Sequence, residues 1–218
     1  MIDADAGASV VHVVDDQQSI RDLVVTILDT VGLRCVAWED PASFLIAATS
    51  QRVDALLVDV RLIGMSGLEL VRRLREYGMT APVIFISGVN EVTVAVEAMK
   101  LGAHDFLQKP FAPQALIEAV QAALRVRRAE AEREAQVAEA KRLVGRLSPR
   151  EHQVFLAVVD GKANKVVALD LGLSEKTVEE HRKHVMTKLE AGSLAALVKL
   201  AVTAGLVDPA RGDTKRHP

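Results

Sequence analysis

This sequence predicts an α/β domain, a doubly wound five-stranded parallel sheet, joined by a long helix to a small all-α four-helix domain. Two observations carry the prediction. The first is a series of short apolar runs, bounded by turn signals and separated by helical periodicity, that stops near residue 125. The second is residues 114–144, a stretch without Gly or Pro, beyond which only helical patterns follow.

The first strand is Val10-Val11-His12-Val13-Val14, a β-branched run ending in Asp15-Asp16. Ile20, Leu23, Val24, Ile27, Leu28 and Val31 then share one helical face, stopped by Gly32. Residues 34–38 form a second strand. Asp40-Pro41 pairs an N-cap with proline at the first helical position and opens a short helix. Ala55-Leu56-Leu57-Val58-Asp59 is apolar without alternation, as a strand buried on both faces must be. Leu68, Val71 and Leu74 mark the inner face of the next helix. Residues 82–87 give a fourth strand, residues 92–101 a helix stopped by Gly102, and residues 105–107 a fifth strand ending in Gln108-Lys109-Pro110. This alternation means right-handed βαβ units and a flavodoxin-like domain over residues 9–125.

Leu116, Val120 and Leu124 give the next helix a packed first half, but its apolar repeat fades after Val126. Residues 126–146 therefore read as a helical linker continuing the last helix of the first domain, a solvated spacer ended by Gly145. Ser148, Pro149 and Glu151 then form a capping box with proline at the first helical position. Helices are expected at about 149–160, 163–170, 175–189 and 192–204. The second and third are joined by Leu171-Gly172-Leu173, with Ser174 as cap, which is the layout of a helix-turn-helix. That domain covers residues 147–207, with Val178, Val185 and Leu189 in its core. Residues 208–218 read as a disordered tail.

Composition narrows the classes. Half of the chain is apolar, enough for a real core. No apolar run reaches the roughly 18 residues of a membrane span. The acidic start, Met1-Ile2-Asp3-Ala4-Asp5, lacks the layout of a signal peptide, so a cytoplasmic protein without a membrane partner is expected. The single cysteine, Cys35, excludes a disulfide framework and reads as a small core residue. Residues 1–124 hold 9 Lys+Arg against 16 Asp+Glu, whereas residues 146–218 hold 12 against 9. The two parts suit different partners.

The strand ends carry the chemistry. Open α/β sheets place their sites at the carboxyl edge, and there this chain puts Asp15 and Asp16, then Asp59, Ser87 and Lys109. Three carboxylates brought together repel unless a cation relieves them, and an all-oxygen set without His or Cys selects Mg²⁺ or Mn²⁺. A carboxylate beside such a cation can attack phosphorus, with a lysine sharing the charge and a hydroxyl bonding a phosphoryl oxygen. Asp59 is the expected acceptor.

These residues resemble the receiver domain of two-component response regulators over residues 9–125. The resemblance implies Asp59 as phosphoacceptor and Ser87 and Lys109 as phosphoryl contacts. It also implies Phe106 as an aromatic switch and a cis peptide at Lys109-Pro110. The metal set it implies is Asp16 directly, Asp15 through water, Asp59, and the backbone carbonyl of Arg61. One departure is Ile63, where the family usually has proline, which loosens the Asp59 loop.

Residues 147–207 resemble the LuxR-type helix-turn-helix of the NarL/FixJ regulators. The matches are Leu147-Ser148-Pro149-Arg150-Glu151, Asn164-Lys165, Leu173-Ser174-Glu175-Lys176-Thr177-Val178-Glu179, His181-Arg182 and Lys188-Leu189. The wording from Ser87 to Phe111 leans towards the FixJ-like branch. Departures are Val166, where the family usually has Glu, and Glu190-Ala191-Gly192. Lys165, Lys176 and Thr177 suit phosphates, Glu179, Glu180 and Lys183 suit base edges, and Arg182 suits either.

The expectation is a transcription regulator and not an enzyme. A sensor histidine kinase would phosphorylate Asp59, the phosphorylated chain would form a homodimer, and the dimer would bind double-stranded DNA, with RNA polymerase as a further candidate partner. An aspartyl-phosphate hydrolase would need a second aspartate where Arg61 stands. The alternative is a DNA-binding regulator whose receiver is vestigial and phosphorylation-independent.

Overall fold

The five apolar runs become five parallel strands in the order β2-β1-β3-β4-β5. In this computed structural model, which describes residues 9–88 and 92–208, the strands are β1 Val10–Val14, β2 Arg34–Trp38, β3 Ala55–Asp59, β4 Val83–Ser87 and β5 Asp105–Gln108. Between them lie α1 Gln18–Asp29, α2 Pro41–Ala47, α3 Gly67–Glu76 and α4 Val92–Lys100. After β5 comes α5, Pro113–Val144. Two compact units result, residues 1–130 and 131–218.

Strand alternation builds the two cores of the first unit. Val11, Val13, Ala55, Leu57, Ile84 and Ile86 face α1 and the first turns of α5, where Leu116, Val120 and Leu124 are buried. Leu56, Val58, Val83 and Phe85 face Phe44 of α2 and Leu68, Val71 and Leu74 of α3. Burial on both faces explains why β3 reads as an unbroken apolar run. On α1 the buried stripe is narrower than the apolar one: Val24, Ile27 and Leu28 are buried, whereas Leu23 at its margin stays about two-fifths exposed, as does Val31, which lies in the turn beyond the helix instead of on its face. Cys35 is partly buried on β2, and burial pushes its thiol up to about 12.

Caps fix the helix starts. The Asp40 carboxylate accepts from the amides of Ala42 and Ser43, holding Pro41 at the first position of α2. Ser66 caps α3 by accepting from Glu69 N–H at 3.1 Å.

The second unit packs α6 Pro149–Val159, α7 Asn164–Leu171, α8 Glu175–Lys188 and α9 Leu194–Thr203 around Val154, Phe155, Val167, Val178, Val185 and Leu189. The capping box at Ser148 and Glu151 forms in both directions. The last helix starts at Leu194 instead of 192, because the Ser193 hydroxyl accepts from Ala196 N–H and caps it there. Residues 131–139 of α5 are exposed save for a half-buried Val137, but Ala140 and Leu143 are buried, and Leu143 joins the core of the second unit. Among the described residues no helix is long and apolar enough to cross a membrane. The acidic start and the tail from residue 209 lie outside the described residues.

Candidate functional site

Parallel pairing sets the site. Because β1, β3, β4 and β5 run side by side in one direction, their carboxyl ends share one edge of the sheet. There Asp15, Asp16 and Asp59 each offer an oxygen, all within 4.8 Å of one another. The Lys109 ammonium donates to Asp15 Oδ2 at 2.7 Å and to Asp59 Oδ2 at 3.0 Å. Asp15 Oδ1 is taken by Gln17 N–H at 2.9 Å. Asp16 Oδ1 is buried with no hydrogen-bond partner.

Burial and charge oppose each other here. Desolvation pushes the Asp59 carboxyl above its usual range, and the negative charge of Asp15 adds to this. The Lys109 hydrogen bond and charge pull the other way without cancelling it. Burial acts to lower Lys109, yet its bonds to Asp15 and Asp59 outweigh that, and its ammonium ends above the ordinary lysine range. The cluster is thus short of positive charge, which one lysine does not make good.

Ser87 is fully buried at the end of β4, and its carbonyl accepts from Lys109 N–H at 2.6 Å, so the two residues are fixed in register. The Lys109-Pro110 peptide is cis, as the resemblance implies. Phe106 is partly buried and packs on the second core. In the loop after Asp59, Ile63 is 78% exposed. A Cβ at Gly67 would stand 2.1 Å from the backbone oxygen of Asp59. Any side chain at that position would push the loop off the acceptor strand. Nothing in the local sequence shows this, because the close approach is tertiary.

In the second unit, Gly172 closes α7 in a left-handed conformation, and Ser174 caps α8 by accepting from Thr177 N–H at 3.1 Å. Lys165, Lys176, Glu179, Glu180 and Lys183 are exposed. Thr177 is half-buried, its hydroxyl 2.8 Å from that of Ser174. Arg182 differs from its neighbours: it donates to Asn164 Oδ1 at 2.6 Å, which ties α8 to α7. Lys188 bonds Glu151 Oε2 at 2.6 Å and ties α8 to α6. Both pairings lie too far apart in sequence for helical spacing to reveal them.

A doubly wound sheet with a carboxylate cluster and lysine at its carboxyl edge, in one chain with a helix-turn-helix, defines a signalling receiver coupled to a DNA-binding domain. The family described as response regulator receiver domain matches residues 11–121, and that described as bacterial regulatory proteins, luxR family, matches residues 145–201. The chain belongs to the two-component response regulators of the NarL/FixJ class, which regulate transcription and are not typically enzymes. It is 42% identical over 196 residues to the transcriptional regulatory protein FixJ of Azorhizobium caulinodans, covering 90% of this chain and 93% of that one. It is 41% identical over 198 residues to nodulation protein W of Bradyrhizobium diazoefficiens, covering 91% and 87%. The solved structure of the response regulator StyR aligns with a TM-score of 0.81 at 34% identity, covering 90% of this chain and 99% of that one. Full-length FixJ from B. japonicum aligns with a TM-score of 0.58 at 36% identity, covering 92% and 98%. The two domains indicate a histidine kinase as one partner and DNA as another.

Proposed function

We propose that Asp59 accepts a phosphoryl group from a sensor histidine kinase, and that this drives dimerisation and sequence-specific DNA binding that activates transcription. The observation that carries the reading is the three-carboxylate cluster bridged by Lys109, with Asp16 Oδ1 buried and unbonded. Such an orphan oxygen in an all-oxygen set fits a hard divalent cation, Mg²⁺ or Mn²⁺. Asp15, Asp16, Asp59 and the Arg61 carbonyl would hold it. When bound, it supplies the positive charge that the cluster lacks and offsets the charge of the phosphoryl oxygens.

The protein's own groups perform the rest. An Asp59 carboxylate oxygen forms the bond to phosphorus as the bond from phosphorus to the kinase's histidine nitrogen breaks. Lys109, already 3.0 Å from Asp59, shares the incoming charge. The Ser87 hydroxyl donates to a phosphoryl oxygen, and Phe106 moves further into the second core. These shifts reshape the surface of α4 and β5, where Val96 and Met99 of α4 are half exposed, and that surface pairs with a second protomer. Dimerisation presents two helix-turn-helix domains to half-sites about one helical turn apart. Lys165, Lys176 and Thr177 hold phosphates, while Glu179, Glu180 and Lys183 meet base edges. Arg182 braces the motif and can add a phosphate contact. RNA polymerase is the further partner of an activator. The protein acts in the cytoplasm.

Sedimentation with Mg²⁺, with and without acetyl phosphate, tests this. A donor-dependent dimer that Asp59→Asn abolishes supports it. A phosphorylated chain that stays monomeric sinks the dimer mechanism.

A further inference from the structure

Arg21 lies beside the acidic cluster but takes no part in the chemistry above. Its side chain is only 13% exposed on α1. Nη1 donates to the backbone carbonyl of Asp15 at 2.8 Å, and Nη2 donates to Glu39 Oε2 at 3.3 Å. The other polar groups of Asp15 are also occupied. Its N–H donates to the Trp38 carbonyl at 3.1 Å, one carboxylate oxygen accepts from Gln17 N–H, and the other accepts from Lys109. Asp15 is therefore fixed from every side, whereas its neighbour Asp16 keeps one buried oxygen without a partner.

We propose that Arg21 is a positioning residue that holds the Asp15-Asp16 turn so that Asp16 presents this oxygen to a divalent cation. The inference rests on the metal site read above. A guanidinium suits the task because its planar fork donates in two directions at once, here to Asp15 and to Glu39, which a single ammonium does less well. Glu39 also neutralises the guanidinium, so that a cation near the cluster is not repelled by it. Glu39 is 75% exposed and shares a longer bond, so its contribution is the smaller one.

The test is Mn²⁺ binding to the full chain, read from the electron paramagnetic resonance of free Mn²⁺, beside thermal melts without metal. Arg21→Ala is expected to weaken binding roughly tenfold, as loss of an outer partner of a metal ligand does. Arg21→Lys, which keeps the charge but not the fork, is expected to weaken it about threefold, and Glu39→Gln about twofold. If Arg21→Ala does not fold, Arg21→Lys carries the test. Wild-type affinity in Arg21→Lys would overturn the positioning role, whatever Arg21→Ala shows. A wild-type chain that takes up no Mn²⁺ would sink the metal site and this inference together. A wild type that binds, with Arg21 variants that bind equally, would sink the inference alone.

Discussion

The Lys109 ammonium sits 3.0 Å from the Asp59 carboxylate, in a site where Asp59 is 4% exposed and Asp15, also paired to Lys109, is fully buried. Removing one partner of a buried pair leaves the other charge uncompensated. Lys109→Ala should therefore destabilise the metal-free receiver by about 3 kcal/mol. Millimolar Mg²⁺ should recover much of that loss, because the cation offsets the same carboxylates. Urea unfolding with and without Mg²⁺ checks both halves.

His12 links the first strand to the second. It is 1% exposed, accepts from Trp38 Nε1–H at 3.0 Å through Nδ1, and lies 3.0 Å from the Arg52 carbonyl through Nε2. Both bonds are satisfied only when Nε2 alone carries the proton, so the folded state holds a neutral ring. Burial lowers its pKa below 6.5; the Arg52 carbonyl and Asp54 raise it in part, while Arg34 adds to the lowering. A histidine depressed in this way contributes stability that is fully present above about pH 6.5 and is lost as pH falls through the folded value. The urea midpoint followed by Trp38 emission should drop between about pH 7.5 and 5.5, and His12→Gln should flatten that slope.

Glu151 joins three parts of the second unit. Its carboxylate accepts from Ser148 N–H at 2.7 Å and from Lys188 Nζ, with the His184 ring 3.8 Å away. The Lys188 hydrogen bond first, then the Ser148 amide, bring its pKa down from 4.5 to about 2. A depressed carboxylate contributes stability that is present above the unfolded value and lost as pH falls between about 4.5 and about 2. Glu151→Gln should cost about 1–2 kcal/mol at neutral pH, since it removes the charge facing Lys188 and leaves one amide oxygen to serve both Ser148 N–H and the ammonium. Helical ellipticity during urea titration of the full chain reads this.

Much of this was legible in the sequence because local rules agreed with the fold. The unbroken apolar run at β3, the Asp40-Pro41 and Ser148-Pro149 starts and the strand-end Asp15, Asp16, Asp59, Ser87 and Lys109 all fell where spacing put them. What stayed hidden was tertiary. Gly67 matters because Asp59 lies against it, not because of its neighbours in the chain. Arg21 reaches Asp15 through a fold that brings α1 over a strand end. Arg182 is partnered by Asn164 from the preceding helix, so its charge is partly committed before DNA arrives. Leu143 lies well past Val126, where the apolar repeat fades, yet it belongs to the core of the second unit, whose other buried members lie beyond residue 150. The start of α9 was missed by two residues because Ser193 was not weighed as a cap.

The central claim is that Asp59 takes the phosphoryl group. The direct measurement is intact mass after incubation with acetyl phosphate and Mg²⁺, followed by borohydride reduction and peptide mapping of the acyl phosphate. The account predicts one added phosphoryl group per chain, mapped to Asp59, dependent on divalent cation and lost in Asp59→Asn. An unmodified chain, or a phosphoryl group mapped to another residue, would contradict it.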